Sequence, residues 1–149
     1  MPTLEFCDVI PNKADHAWRV LKKFGEIADW HPDIAESRIE NGKPDGMVGC
    51  VRRLTLADGA ILTERLLAVD DSNRSLTYRF EQTPLPLQNY ILTVTVTPLT
   101  RYDTSFIRWQ ASFDLQEADP EGTYEKLMQG LIVSGSDSLQ AYLARTPGA

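Results

Sequence analysis

The sequence predicts an α+β fold, with the strands gathered into one antiparallel sheet and the helices kept towards the two ends of the chain. Three observations carry that prediction. Six strand-like segments follow one another between residues 34 and 115, separated only by short turn signals. Helical periodicity is confined to residues 12–24 and 120–144. The chain, 149 residues with 42% hydrophobic and 24% charged positions, is the size of one domain (1–149) with enough apolar side chains to bury a core.

Residues 3–10 read as a first strand with imperfect alternation. Residues 12–24 read as a helix. Asn12 is a capping type, Asp15 stands three positions on as in a capping box, and Ala14, Ala17, Trp18, Leu21 and Phe24 form an apolar stripe. The stretch 26–32 supports only a single turn and is closed by Pro32. Strands are expected over 34–41, 48–56, 61–69, 76–82, 88–98 and 105–115. Asn41-Gly42 and Asp58-Gly59 mark turns, the second a hairpin signal. Alternation is cleanest at Tyr90, Leu92, Val94 and Val96, and at Ile107, Trp109, Ala111 and Phe113, the pattern of a sheet with one wet face. The last helix, 120–144, is expected to be capped by Asp119, with Pro120 in its first position and Pro147-Gly148 beyond its end. Its apolar stripe is Tyr124, Leu127, Met128, Leu131, Ile132, Gly135, Leu139 and Tyr142.

Composition excludes several function classes. Fifteen basic against 21 acidic residues give a net charge of −6, and the longest basic runs are the pairs Lys22-Lys23 and Arg52-Arg53. Nucleic-acid binding draws most of its affinity from phosphate neutralisation, so no nucleic-acid partner is expected. No apolar run reaches the ~20 residues of a membrane span. The start of the sequence also lacks the basic and apolar regions of a signal peptide, so a cytoplasmic protein is expected. Cys7 and Cys50 lack CxxC spacing and read as small buried hydrophobes with no disulfide; His16 and His31 are not at metal-ligand spacing. Neither a metal nor a cofactor is expected, and no nucleophile elbow or phosphate loop is present.

Alternation over 48–56 points Val48, Cys50, Arg52, Leu54 and Leu56 inward, and Val51, Arg53 and Thr55 outward. Over 61–69 two registers stay open: Leu62, Glu64, Leu66 and Ala68 inward, or Ile61, Thr63, Arg65, Leu67 and Val69. In the first, Arg52 and Glu64 face each other across a hairpin among apolar neighbours, with Leu76, Tyr78 and Phe80 continuing that face. An unpaired charge there costs several kcal/mol, by order of magnitude. The pair then reads as a structural brace, as a polar anchor for a ligand carboxylate or enolate, or as a catalytic pair; in the other register both are solvated. Trp30 and His31 sit in a loop where the imidazole serves either as a proton carrier or as a surface or helix-end group. His16 falls on the polar side of its helix and is assigned no role. Pro84-Leu85-Pro86-Leu87 is a stiff apolar loop, either a packed turn or a lid. Gly135, on an apolar helix stripe at a cost of ~1 kcal/mol relative to Ala, implies close approach of a neighbour or space for a ligand.

The order of elements, with Pro11 to Trp18, Trp30-His31-Pro32, Gly49-Cys50-Val51-Arg52-Arg53, Asp58-Gly59, Glu64-Arg65-Leu66, Tyr78, Pro84-Leu85-Pro86, Asn89-Tyr90 and Trp109 to Phe113, resembles the Bet v 1/START-like (SRPBCC) superfamily. Within it, the polyketide cyclase/dehydrase and lipid-transport proteins are the nearest in kind. The resemblance implies a helix-grip fold: a curved seven-stranded antiparallel sheet around a long C-terminal helix, with two short N-terminal helices. It also implies a cavity for a lipid, polyketide or aromatic metabolite. The candidate ligand contacts are Trp30, His31, Arg52, Leu54, Glu64, Leu66 and Tyr78, with Leu85, Tyr90, Trp109, Phe113, Leu131 and Gly135. A carrier or sensor of a small apolar or amphipathic molecule is the first expectation. A cyclase or dehydratase is the second, with Arg52 stabilising an oxyanion and Glu64 or His31 moving protons. An interaction module would need an exposed apolar patch that the sequence does not locate. A monomer or a homodimer is equally compatible.

Overall fold

The computed structural model describes residues 3–146. Its elements run β1 (Thr3–Ile10), α1 (Ala14–Lys22), a 3-10 helix (Phe24–Asp29), β2 (Ile34–Ile39), β3 (Val51–Leu56), β4 (Ile61–Asp70), β5 (Ser75–Gln82), β6 (Leu87–Leu99), β7 (Thr104–Leu115) and α2 (Thr123–Arg145). The strands form one seven-stranded antiparallel sheet in the order β1-β7-β6-β5-β4-β3-β2, so every neighbouring pair but β1–β7 is consecutive in sequence. Register shifts on β2, β4 and β6 interrupt the ladders, and such bulges bend a sheet and increase its twist. Helix α2, on the order of 35 Å long, buries Met128, Ile132, Gly135, Ser136, Leu139 and Leu143. Of these, Met128, Ile132, Leu139 and Leu143 share one core with Leu92, Val94 and Val96 of β6 and Ile107, Trp109 and Ala111 of β7. This is the α+β helix-grip arrangement expected from the sequence.

Several local expectations are corrected. Helix α1 is shorter than residues 12–24, and no capping box forms: Lys13 occupies the N-cap position without a side-chain bond. Asp15 instead accepts from Arg74 Nε at 2.7 Å. Helix α2 starts at Thr123, leaving Pro120 outside it. Asp119 still satisfies the helix start, because its carboxylate accepts from the backbone N–H groups of Thr123 and Tyr124. Leu127, expected on the apolar stripe, is 44% exposed. Strand β3 begins at Val51, since Gly49 at φ +92° breaks the extended run. Val48 is consequently exposed, and Val51, expected outward, is buried. Cys7 is exposed, because odd-numbered positions of β1 point away from the core; Cys50 is buried as expected. Asn41-Gly42 does not close a tight hairpin: Asn41 bridges the loop by donating to the Gly49 carbonyl and accepting from Val51 N–H. The expected stop at Pro147-Gly148 lies outside the described residues.

Candidate functional site

Between the sheet and α2 lies a cavity of ≈ 100 Å³. Its lining along the β3–β4 hairpin follows the strand register. Leu56 comes first near the turn, then the directly opposed pair Leu54 and Leu62, then the directly opposed pair Arg52 and Glu64. There the cavity stops. One register step further, Cys50 and Leu66 are fully packed, with Leu66 N–H donating to the Cys50 carbonyl. Tyr78, Phe80, Tyr90, Leu92 and Trp109 extend the wall across β5, β6 and β7, and Met128, Leu131, Ile132 and Gly135 of α2 cover it.

Arg52 and Glu64 are 3% and 4% exposed, so the solvated register is excluded. Arg52 Nε donates to Glu64 Oε1 at 2.8 Å, and Nη2 stands 2.7 Å from the same oxygen. Arg52 Nη1 donates to the Phe24 carbonyl at 2.9 Å. The guanidinium carbon lies 3.8 Å from the Phe24 ring centroid and 4.5 Å from that of Tyr78, both in cation–π range. All three guanidinium nitrogens are therefore engaged inside the protein. Burial pushes the Glu64 carboxyl above its ordinary range, against the pull of Arg52. Burial likewise raises the Tyr78 and Tyr90 phenols, which stay protonated.

His31 enters the cavity from the loop after the 3-10 helix. Its Nδ1 accepts from Asp33 N–H at 3.3 Å, which leaves the proton of the neutral ring on Nε2. Burial holds its pKa below the ordinary value; Asp33 opposes that shift and Arg52 adds to it. Trp30 packs beside it with ring centroids 5.7 Å apart. On the far wall, Tyr90 stacks on Phe80 at 4.1 Å. The bulge between Gln88 and Ile91, with Asn89 at φ +56°, aims Tyr90 inward while Ile91 stays outside. The indole N–H of Trp109, 5% exposed, has no hydrogen-bond partner.

Ten of the thirteen candidate ligand contacts line this one cavity: Trp30, His31, Arg52, Leu54, Glu64, Tyr78, Tyr90, Trp109, Leu131 and Gly135. Leu66, Leu85 and Phe113 do not. Leu66 lies beyond the ion pair, Leu85 packs on the core from its loop, and Phe113 is fully buried behind Tyr90 at 6.0 Å. The lining adds Ile27, Asp33 and Ile34, which the sequence reading passed over. Ile27 stands one helical turn before Trp30, and that spacing was the available signal. No group of three or more His, Cys, Asp or Glu that could hold a metal ion is present among the described residues. No helix there is long and apolar enough to cross a membrane.

Residues 3–144 match the family described as polyketide cyclase / dehydrase and lipid transport. Among solved structures, the protein XoxI from Bacillus cereus is 28% identical, with a TM-score of 0.84 over 97% of this chain and 96% of that one. An uncharacterized protein from Bacillus thuringiensis is 26% identical, with a TM-score of 0.84 over 96% and 99%. A START superfamily protein from Mycobacterium smegmatis shares the fold at 13% identity, with a TM-score of 0.81 over 96% and 97%.

Proposed function

The chain belongs to the polyketide cyclase / dehydrase and lipid transport family, and from that premise we propose that it holds one small apolar or amphipathic molecule in the cavity beneath α2, as a carrier or sensor. The observation that carries this reading is the cavity itself, apolar on most sides and with a buried ion pair at its closed end. Its ≈ 100 Å³ sits below the ~150 Å³ of an engineered apolar core that accepts benzene. Even a single ring would therefore need the lining side chains to give way slightly, and a long acyl chain would require α2 to move off the sheet. Trp30 and Trp109 both line the cavity, so an occupant should perturb indole fluorescence. Native mass spectrometry of protein purified without organic additives tests the reading directly: a retained small molecule, lost on denaturation, is expected. Absence of any retained mass, together with unchanged fluorescence across a panel of one-ring compounds, would sink it.

One observation favours a second reading, an enzyme. Glu64 is a buried carboxylate raised by burial, with Oε2 outside its contacts to Arg52; such a group is suited to take a proton from a bound carbonyl compound. Arg52 would then orient Glu64 and not hold an oxyanion, since its nitrogens are already committed. Glu64-dependent hydrogen–deuterium exchange at the α-carbon of a bound ketone distinguishes this from plain carriage.

A further inference from the structure

We propose that the His31 ring is a gate in the cavity wall: neutral, it closes the gap between its loop and α2, and protonated at Nδ1 it swings to solvent and opens a way in. The inference rests on the binding reading above and adds how that site is entered and regulated. Position comes first. His31 is half-buried, between the buried Trp30 and the exposed Pro32, and it lines the cavity. Its Nε2 edge rests against Gly135 of α2, where a Cβ would stand 3.2 Å away. One ring therefore borders the cavity, the covering helix and the solvent.

The means of movement comes second. The loop backbone is pinned: His31 N–H donates to the Ile27 carbonyl at 3.0 Å, Ile34 N–H to the His31 carbonyl at 3.2 Å, and Ala57 N–H to the Asp33 carbonyl at 3.0 Å. Rotation of the side chain is then the motion left to the ring. It is held by the hydrogen bond from Asp33 N–H to Nδ1 at 3.3 Å. A proton taken from solvent at Nδ1 uses up the accepting lone pair and leaves two N–H groups facing each other. The wall does little to compensate the new cation. Arg52 disfavours it, the Glu64 carboxylate is engaged by Arg52, the Tyr78 and Tyr90 phenols stay neutral, and α2 places no titratable side chain in the lining. Asp33 is the carboxylate that favours the charged ring. A ring turned to solvent stays two residues from it in the same loop while gaining hydration.

The test follows xenon, an uncharged guest of apolar cavities that is smaller than benzene, by NMR as it exchanges between water and the full chain. The wild-type exchange rate should rise as pH falls from 7.5 to 5. The rise should be about tenfold per pH unit until the protonated ring predominates, because one proton controls the open population. The amide resonances of Asp33 and Gly135 should shift with the same midpoint. His31→Ala should exchange fast at both pH values. His31→Phe, whose ring takes no proton, should exchange slowly at both, with Glu64 and His16 still present to titrate. An unchanged wild-type rate beside a fast His31→Ala would overturn the inference while leaving cavity binding intact. A pH response retained in His31→Phe would place the titrating group elsewhere and overturn it as well. So would a His31→Ala rate no faster than wild type at pH 7.5. No bound xenon at any pH, in any of the three proteins, would remove the binding reading and the gate with it.

Discussion

The His31 imidazole rests directly on Gly135 of α2: a Cβ at position 135 would stand 3.2 Å from His31 Nε2 and 3.4 Å from its Cδ2. That contact explains a glycine in the middle of a 23-residue helix, where its replacement by Ala would otherwise add about 1 kcal/mol of helix propensity. Gly135→Ala is expected to push the ring out of its present position with a small net change in stability. The propensity gain offsets the crowding, and the displacement is read from the His31 NMR resonances. Gly135→Leu should fill the space beneath the helix and abolish occupancy of the cavity. An unmoved His31 in Gly135→Ala would show the contact to be incidental.

Arg52 and Glu64 should behave as a buried pair whose members depend on each other. Arg52→Met leaves a carboxylate buried without its partner and should destabilise the protein by about 3–5 kcal/mol, a melting shift on the order of 10 °C at this size. The double change Arg52→Met with Glu64→Leu should recover much of that loss. Thermal melts of the two single variants and the double check this, and a double variant no better than Arg52→Met refutes the coupling.

The pH dependence has a defined sign. Burial lowers the His31 pKa, so the folded protein binds a proton at this site less readily than the unfolded chain. The resulting stability is fully present above the ordinary histidine value of about 6.5 and is lost as pH falls through the lowered one. His16 shifts in the same direction, again first through burial, and Glu64, raised, runs the other way. The difference between wild type and His31→Asn isolates the single group, Asn supplying an acceptor oxygen where Nδ1 now accepts. Melts between pH 7.5 and 5 should show wild type losing stability more steeply than the variant.

The two thiols should separate cleanly. Cys7 is exposed on an edge strand, while Cys50 is buried and its thiol pKa is raised by that burial. A thiol reagent should label one cysteine rapidly in the native protein and the second only on unfolding. Fast labelling of both would mean that the β3 end of the sheet opens readily.

Much of the fold is legible because its signals are local. The alternation of Tyr90, Leu92, Val94 and Val96 names the buried face of β6, and the same period puts Ile107, Trp109, Ala111 and Phe113 inside on β7. Asp58-Gly59 closes the β3–β4 hairpin with Gly59 at φ +91°, and that turn sets Arg52 opposite Glu64. Where alternation misleads, a backbone feature interrupts the period. Gly49 breaks the run at Val48, and the bulge at Thr63/Glu64 lets two consecutive residues of β4 both be buried.

By itself, the sequence determined the order and type of the elements, the faces of the long strands and the possibility of an inward Arg52–Glu64 pair, because side-chain period and turn chemistry act over a few residues. Tertiary structure alone decided that the Phe24 carbonyl takes the third guanidinium nitrogen, that His31 lies on Gly135, that Trp109 is left with a free donor, and that the cavity ends at the ion pair before Leu66. The first two join segments 28 and about 100 residues apart, and all four outcomes depend on strand register and on how α2 seats against a bent sheet, neither of which is written in any local pattern of residues.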